Sequence, residues 1–121
     1  MQNSSQNLYK KILGEVGEKK ALKYLKKKGY KIKEKGYVTP LGEADIVAFD
    51  KETLVFIEVK TRTSDNFGKG REAVNYYKQQ RYVKIAKYYT VCNKLKDVNI
   101  RFDVIEIQNE QINHIISAFE A

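Results

Sequence analysis

Cysteine is nearly absent from this chain. The 121 residues hold one, Cys92, which excludes an internal disulfide and any zinc site built from cysteines. No apolar run approaches the ~20 residues needed to span a bilayer. Met1 to Asn7 is polar and lacks the apolar core of a signal segment. These absences predict a soluble, cytoplasmic protein with no membrane partner. No internal repeat and no long linker is visible, so the length predicts one domain over 1–121 with a modest core. Acid is the scarcer charge: 15 Asp and Glu stand against 23 Lys and Arg, for a net charge of +8. Such a balance suggests a polyanionic partner, nucleic acid before anionic membrane. A basic solvated surface is the alternative.

What is present centres on two acids. Asp45 lies in Gly42-Glu43-Ala44-Asp45-Ile46-Val47-Ala48-Phe49, and Glu58 in Leu54-Val55-Phe56-Ile57-Glu58-Val59-Lys60. Both segments are rich in β-branched and aromatic residues and read as strands, with Asp50-Lys51-Glu52-Thr53 as a polar turn between them. Pairing back from Phe49 opposite Leu54 puts Asp45 opposite Glu58 and Glu43 opposite Lys60. Alternation places Asp45, Glu58 and Lys60 on one face. Two carboxylates about 4 Å apart repel by about 4 kcal/mol at an effective dielectric of 20. A cation or a proton between them relieves that cost, and oxygen ligands suit Mg²⁺ or Mn²⁺.

Leu8 to Lys28 reads as a helix, with Leu8, Ile12, Val16, Leu22 and Leu25 on one arc and Gly29 as its stop. Glu15, Glu18, Lys11 and Lys19 fall within the same arc. An acid on a core-facing arc needs a partner. Glu18 either points to the hairpin as a third carboxylate or forms a salt bridge to one of those lysines or to Arg81. Tyr30 to Val38 reads as a strand and Thr39-Pro40-Leu41-Gly42 as a turn. After the hairpin come a loop over Thr61 to Gly70 and a second helix from Arg71 to about Asn93, with Val74, Tyr77, Ile85 and Tyr88 on its apolar side. Ile100 to Ile107 and Ile112 to Phe119 read as strands. The order α-β-β-β-α-β-β predicts an α/β fold, a mixed central sheet flanked by helices.

Asp45, then twelve residues, then Glu58-Val59-Lys60 resembles the signature of the PD-(D/E)XK nucleases, the restriction-endonuclease-like superfamily. The element order matches its α-β-β-β-α-β core. The wider text is similar to the YraN-like family of bacterial proteins. The matching stretches are Gly14-Glu15-Val16-Gly17-Glu18, Ala21 with Tyr24-Leu25, Gly29-Tyr30, Gly42 to Val47, and Val55 to Arg62. Phe67-Gly68, Lys78 and Arg101-Phe102-Asp103-Val104 complete them. Ala44 stands where the superfamily's name has proline, a position where that proline is commonly absent.

The resemblance implies a metal-dependent endonuclease that hydrolyses phosphodiester bonds in DNA, including branched or structured DNA. By the same resemblance Asp45 and Glu58 hold Mg²⁺ or Mn²⁺ with the Val59 carbonyl. Glu18 completes the acidic site directly or through water. Lys60 orients the attacking water or stabilises charge on phosphorus; a cross-strand pair with Glu43 is its structural alternative. Arg62, on the same face as Lys60, grips a phosphate, and Lys78 faces the site. Small size favours a homodimer or a protein partner. A nucleic-acid-binding accessory protein without cleavage is the alternative function.

Lys26-Lys27-Lys28, Lys31, Lys33 and Lys35 form the densest basic stretch, either a phosphate track or a solvated helix end. Among Tyr76, Tyr77, Tyr82, Tyr88 and Tyr89, packing on the sheet is the favoured role and stacking on splayed bases the other. The loop from Asp65 to Gly70 is a lid or an ordinary connection. His114 reads as structural or exposed.

Overall fold

A computed structural model describes residues 4–63 and 67–121. Helix α1 (Ser4–Lys27) leads into strands β1 (Lys31–Thr39), β2 (Gly42–Asp50) and β3 (Thr53–Thr61). A short 3₁₀ turn (Gly70–Ala73) precedes α2 (Tyr76–Cys92), and β4 (Asn99–Gln108) and β5 (Gln111–Phe119) follow. The five strands form one sheet in the order β1-β2-β3-β4-β5. Every neighbouring pair is antiparallel except β3 and β4, which are parallel. A parallel pair needs a crossover, and α2 lies on it. The architecture is the expected α/β one, a mixed sheet flanked by helices and consistent with a restriction-endonuclease-like core.

Each face of the sheet has its own core. Ala21 and Leu25 of α1 pack with Ile46, Ala48, Val55, Ile57, Ile105 and Ile107. Tyr82, Ile85, Ala86 and Tyr89 of α2 pack on the opposite face with Ala44, Val47, Leu54, Phe56 and Phe102. Strands β3 and β4 are covered on both faces, which is why their burial runs on instead of alternating.

Both helices differ from the sequence expectation. Among the described residues α1 is helical from Ser4 and buries Gly17, Ala21 and Leu25, while Leu8, Ile12 and Val16 are exposed. Small residues permit close approach but leave no hydrophobic signal. A Cβ on Gly17 would overlap Thr61 Oγ1, so the helix and β3 meet there. The second helix does not start at Arg71. Val74 is extended, and Asn75 caps α2 by accepting a hydrogen bond from Lys78 N–H at 2.9 Å. The buried stripe of α2 is Tyr82, Ile85, Ala86 and Tyr89. Tyr77, expected on the apolar side, is exposed, and Tyr88 is half-buried.

Candidate active site

The hairpin of β2 and β3 closes through Lys51 and Glu52, with Asp50 opposite Thr53 and Phe49 opposite Leu54. Lys51 adopts φ 54°, the left-handed turn conformation. The ladder runs as far as Ile46 opposite Ile57 and stops. Backbone pairing of Asp45 with Glu58 and of Glu43 with Lys60, expected from alternation, does not form. Asp45 Oδ2 instead accepts the Val59 N–H at 2.8 Å. Ala44 and Val47 pack in the same core cluster, which strict alternation forbids, so the backbone is irregular around Asp45. The strands part here, and the carboxylate fills the gap in the ladder.

The carboxyl groups meet nonetheless. Glu58 is 6% exposed. Burial, and then the neighbouring Asp45 carboxyl, push its pKa up to about 8 against the opposing pull of Lys78. Burial, and then Asp45, push Glu18 up to about 7, with Glu43 and Glu15 adding to the rise. Glu18 of α1 therefore comes to the hairpin's acids, and it forms no salt bridge to Lys11, Lys19 or Arg81 among the described residues. Glu58 ion-pairs through Oε2 with Lys78 Nζ.

Tyr82 brings a buried hydroxyl to the same place. Its pKa is raised well above the ordinary phenol value, by burial first and then by the charges of Glu58 and Asp45. The ring packs in the α2 core while the hydroxyl borders the acids. Sequence reading placed Tyr82 on the sheet but not at the site. Its spacing of four from Lys78 on one helix is the signal that joins the two.

Lys60 is exposed and pairs with no acid, Glu43 included, among the described residues. By alternation it shares the α2 side of β3 with Glu58. Arg62 is mostly buried, and Glu106 holds it, Nε lying 3.3 Å from Oε2, while a second nitrogen donates to the Lys69 carbonyl. Arg62, expected to grip a phosphate, thus has internal partners here.

Glu106 is fully buried and also accepts from Gly68 N–H and Asn113 Nδ2, each at 2.6 Å. Of the loop proposed as a lid, Asp65 and Asn66 lie outside the described residues. Its described part, around Gly68, is anchored by Glu106. A second polar centre lies on β4. Arg101 donates to Asp103, Asp50 and the Tyr30 hydroxyl, and His114 Nε2 lies 2.7 Å from Asp103. The Tyr24 hydroxyl meets the other His114 nitrogen at 3.1 Å. His114 is therefore structural and buried. Arg101, Asp103 and Glu106 inside a β-branched run were the available signal for both centres.

Asp45, Glu58 and Glu18 offer hard oxygen donors, and the Val59 carbonyl adds another. As the side chains stand, no three acidic, His or Cys groups among the described residues are disposed around one ion. The fit rests instead on chemistry: crowded, desolvated carboxyls are what a divalent cation would relieve. Among the described residues no helix is long and apolar enough to cross a membrane.

The sequence profile of the family described as "Uncharacterised protein family UPF0102" matches residues 17–107. A UPF0102 protein of Caldanaerobacter subterraneus is 50% identical over 117 residues, covering 91% of this chain and 96% of its own. One from Thermodesulfovibrio yellowstonii is 53% identical over 107 residues, covering 88% and 95%. One from Clostridioides difficile is 44% identical over 108 residues, covering 88% and 95%. The chain belongs to the UPF0102 family, the YraN-like family of the resemblance.

Proposed function

We propose that this UPF0102 protein is a metal-dependent endonuclease that hydrolyses phosphodiester bonds in cytoplasmic DNA, with branched or otherwise structured DNA as substrate. The observation that carries the reading is the meeting of Glu18, Asp45 and Glu58 where β2 and β3 part, two of them with strongly raised pKa values. Structural carboxylates are ordinarily paired or hydrogen-bonded so that their pKa falls; a raised pair in one place points to function.

Asp45, Glu58, the Val59 carbonyl and Glu18 would hold Mg²⁺ or Mn²⁺. The ion would supply Lewis acidity toward the scissile phosphate and lower the pKa of water bound to it. Lys60 is exposed two residues from Glu58 and forms no ion pair among the described residues; it would orient the attacking water or meet charge on the phosphate oxygens. Lys78 balances Glu58 and, being partly exposed, presents its ammonium to an incoming phosphate. The net charge of +8 favours association with a polyanion. Arg62 holds Glu106, which in turn accepts the Gly68 N–H.

A second reading has its own support. Asp45 is bonded to Val59, and Lys78 sits on Glu58, so the acids already have internal partners. That arrangement suits a nucleic-acid-binding module without cleavage.

Cleavage of labelled single-stranded, duplex, flapped and four-way DNA with Mg²⁺ or Mn²⁺ separates the two. The nuclease reading expects cleavage in the wild type, and its loss with binding retained in Asp45→Ala and Lys60→Ala. Tight binding without cleavage under either ion, unchanged by the substitutions, would leave the binding module.

A further inference from the structure

Two large aromatic side chains stand in solvent beside the acidic site. Tyr76 is 67% exposed and Tyr77 is 80% exposed, and they open α2 just before Lys78, the residue that reaches Glu58. Their ring centroids are 5.9 Å apart at 76°, an edge-to-face contact. They pack on each other, whereas Tyr82 and Tyr89 of the same helix are buried in the core. Exposing two adjacent rings costs hydrophobic stabilisation that burial would recover.

A cation without an acidic partner among the described residues follows the pair on α2. Arg81 lies one turn beyond Tyr77 on the same side of the helix. Its aliphatic stem crosses Gly42, the first residue of β2, where a Cβ would overlap Arg81 Cδ. Gly42 also has φ 135°, which a side chain would strain. That close approach brings Arg81 over the strand that carries Asp45. Neither Arg81 nor Lys60 forms an ion pair among the described residues, and both are exposed.

We infer that Tyr76 and Tyr77 are a stacking platform for unpaired bases beside the acidic site, with Arg81 and Lys60 holding the adjoining phosphates. Every base has a π-face, so such a platform binds without reading sequence. Bases inside a duplex are already stacked and offer no free face. The platform therefore selects nucleic acid with unpaired nucleotides next to the bond to be cut: a single strand, a flap or an open junction. Arg81 one turn on and Lys60 on the strand of Glu58 favour this ligand over an acidic protein, since Tyr76 and Tyr77 then contact bases while the charges follow the backbone. The inference rests on the nuclease reading for where the cut falls, and the binding itself is independent of it.

The test is equilibrium binding of the full chain, without divalent ions, to oligonucleotides carrying 2-aminopurine in a single strand, in a flap and in a blunt duplex. The wild type is compared with the double variant Tyr76→Ala/Tyr77→Ala and with Tyr76→Phe/Tyr77→Phe. Both pairs are exposed, and matching thermal melts verify that the variants fold. The alanine pair should lose about 5- to 100-fold in affinity for single strands and flaps, with the quenching of 2-aminopurine abolished. Blunt-duplex affinity should change little, and the phenylalanine pair should bind and quench as the wild type does. Unchanged single-strand binding in the alanine pair would overturn the inference and point to a protein contact at the rings. Equal losses on duplex and single strand would overturn it too, because base stacking would not be what was removed. Loss of cleavage with this pattern intact bears only on the nuclease reading.

Discussion

Lys78 Nζ of α2 and Glu58 Oε2 of β3 form an ion pair across the α2 face of the sheet. The pair joins a helix that starts fifteen residues after β3 ends to the acid at the centre of the candidate site. It also sets a competition, since an ammonium and a divalent cation would draw on the same carboxylate.

Lys78→Met should therefore bind Mn²⁺ more tightly than the wild type, on the order of tenfold after solvent screening of a partly exposed charge. Calorimetry or Mn²⁺ paramagnetic resonance at pH 8.5 reads this directly, with no need for cleavage. Weaker binding by the variant would show that Lys78 supports the ion site instead of competing for it.

The raised carboxyls give a defined pH dependence. Glu58 titrates at about 8 in the folded protein and Glu18 at about 7, against 4.5 as the ordinary value for each. Between these limits the unfolded chain has released protons that the folded chain retains. Stability falls as pH rises wherever the folded state binds more protons. The melting temperature in chelator should thus decline from pH 5 to pH 8.5, and Glu58→Gln should flatten the decline. Added Mg²⁺ should raise the melting temperature more at pH 8.5 than at pH 5.5. A melting temperature that climbs through this window would contradict the assignment of both acids.

Gly17→Ala should destabilise the fold by about 1–3 kcal/mol although alanine is the better helix former. The added Cβ overlaps Thr61 Oγ1, and Thr61 anchors that contact by donating to the Leu13 carbonyl at 3.4 Å. Gly17→Ala/Thr61→Ala should recover part of the loss in urea unfolding, because the overlapping hydroxyl is gone. Equal loss in the single and double variants would move the cause to another part of the helix.

Asp103 is buried. Burial acts to raise its pKa, but bonds from His114, Arg101 and the Ser117 N–H outweigh it and hold the carboxyl below the usual value. Its contribution to stability is present above about pH 4 and is lost as pH falls further. Asp103→Asn should cost roughly 3–5 kcal/mol by leaving Arg101 and His114 short of a partner. The loss should appear as a lower midpoint in urea at pH 7, and the gap to the wild type should narrow at pH 3. A midpoint within error of the wild type would mean that Asp50 and Tyr30 suffice for Arg101.

The sequence by itself determined the order of the elements, the hairpin and the identity of the acids. Those features are local: Asp45 and Glu58 are brought together by one short turn, and the β-branched runs on either side leave few other pairings. Asp45, Glu58 and Glu18 come together as expected, and Lys78 faces them. Only the tertiary structure decided the details around them. The ladder ends at Ile46 because Asp45 takes the Val59 N–H, a bond that no period of two contains. Arg62 turns from solvent to Glu106, and His114 into the core, because β4 and β5 bring distant acids beside them. Tyr82 and Tyr77 read alike as aromatic residues of one helix, yet one is buried at the acids and the other stands in solvent. Five residues apart at about 100° each, they lie on opposite sides of α2, and packing sets the Tyr82 side against the sheet. Hydrophobic pattern records local period, while burial depends on what packing across the sheet brings against each residue.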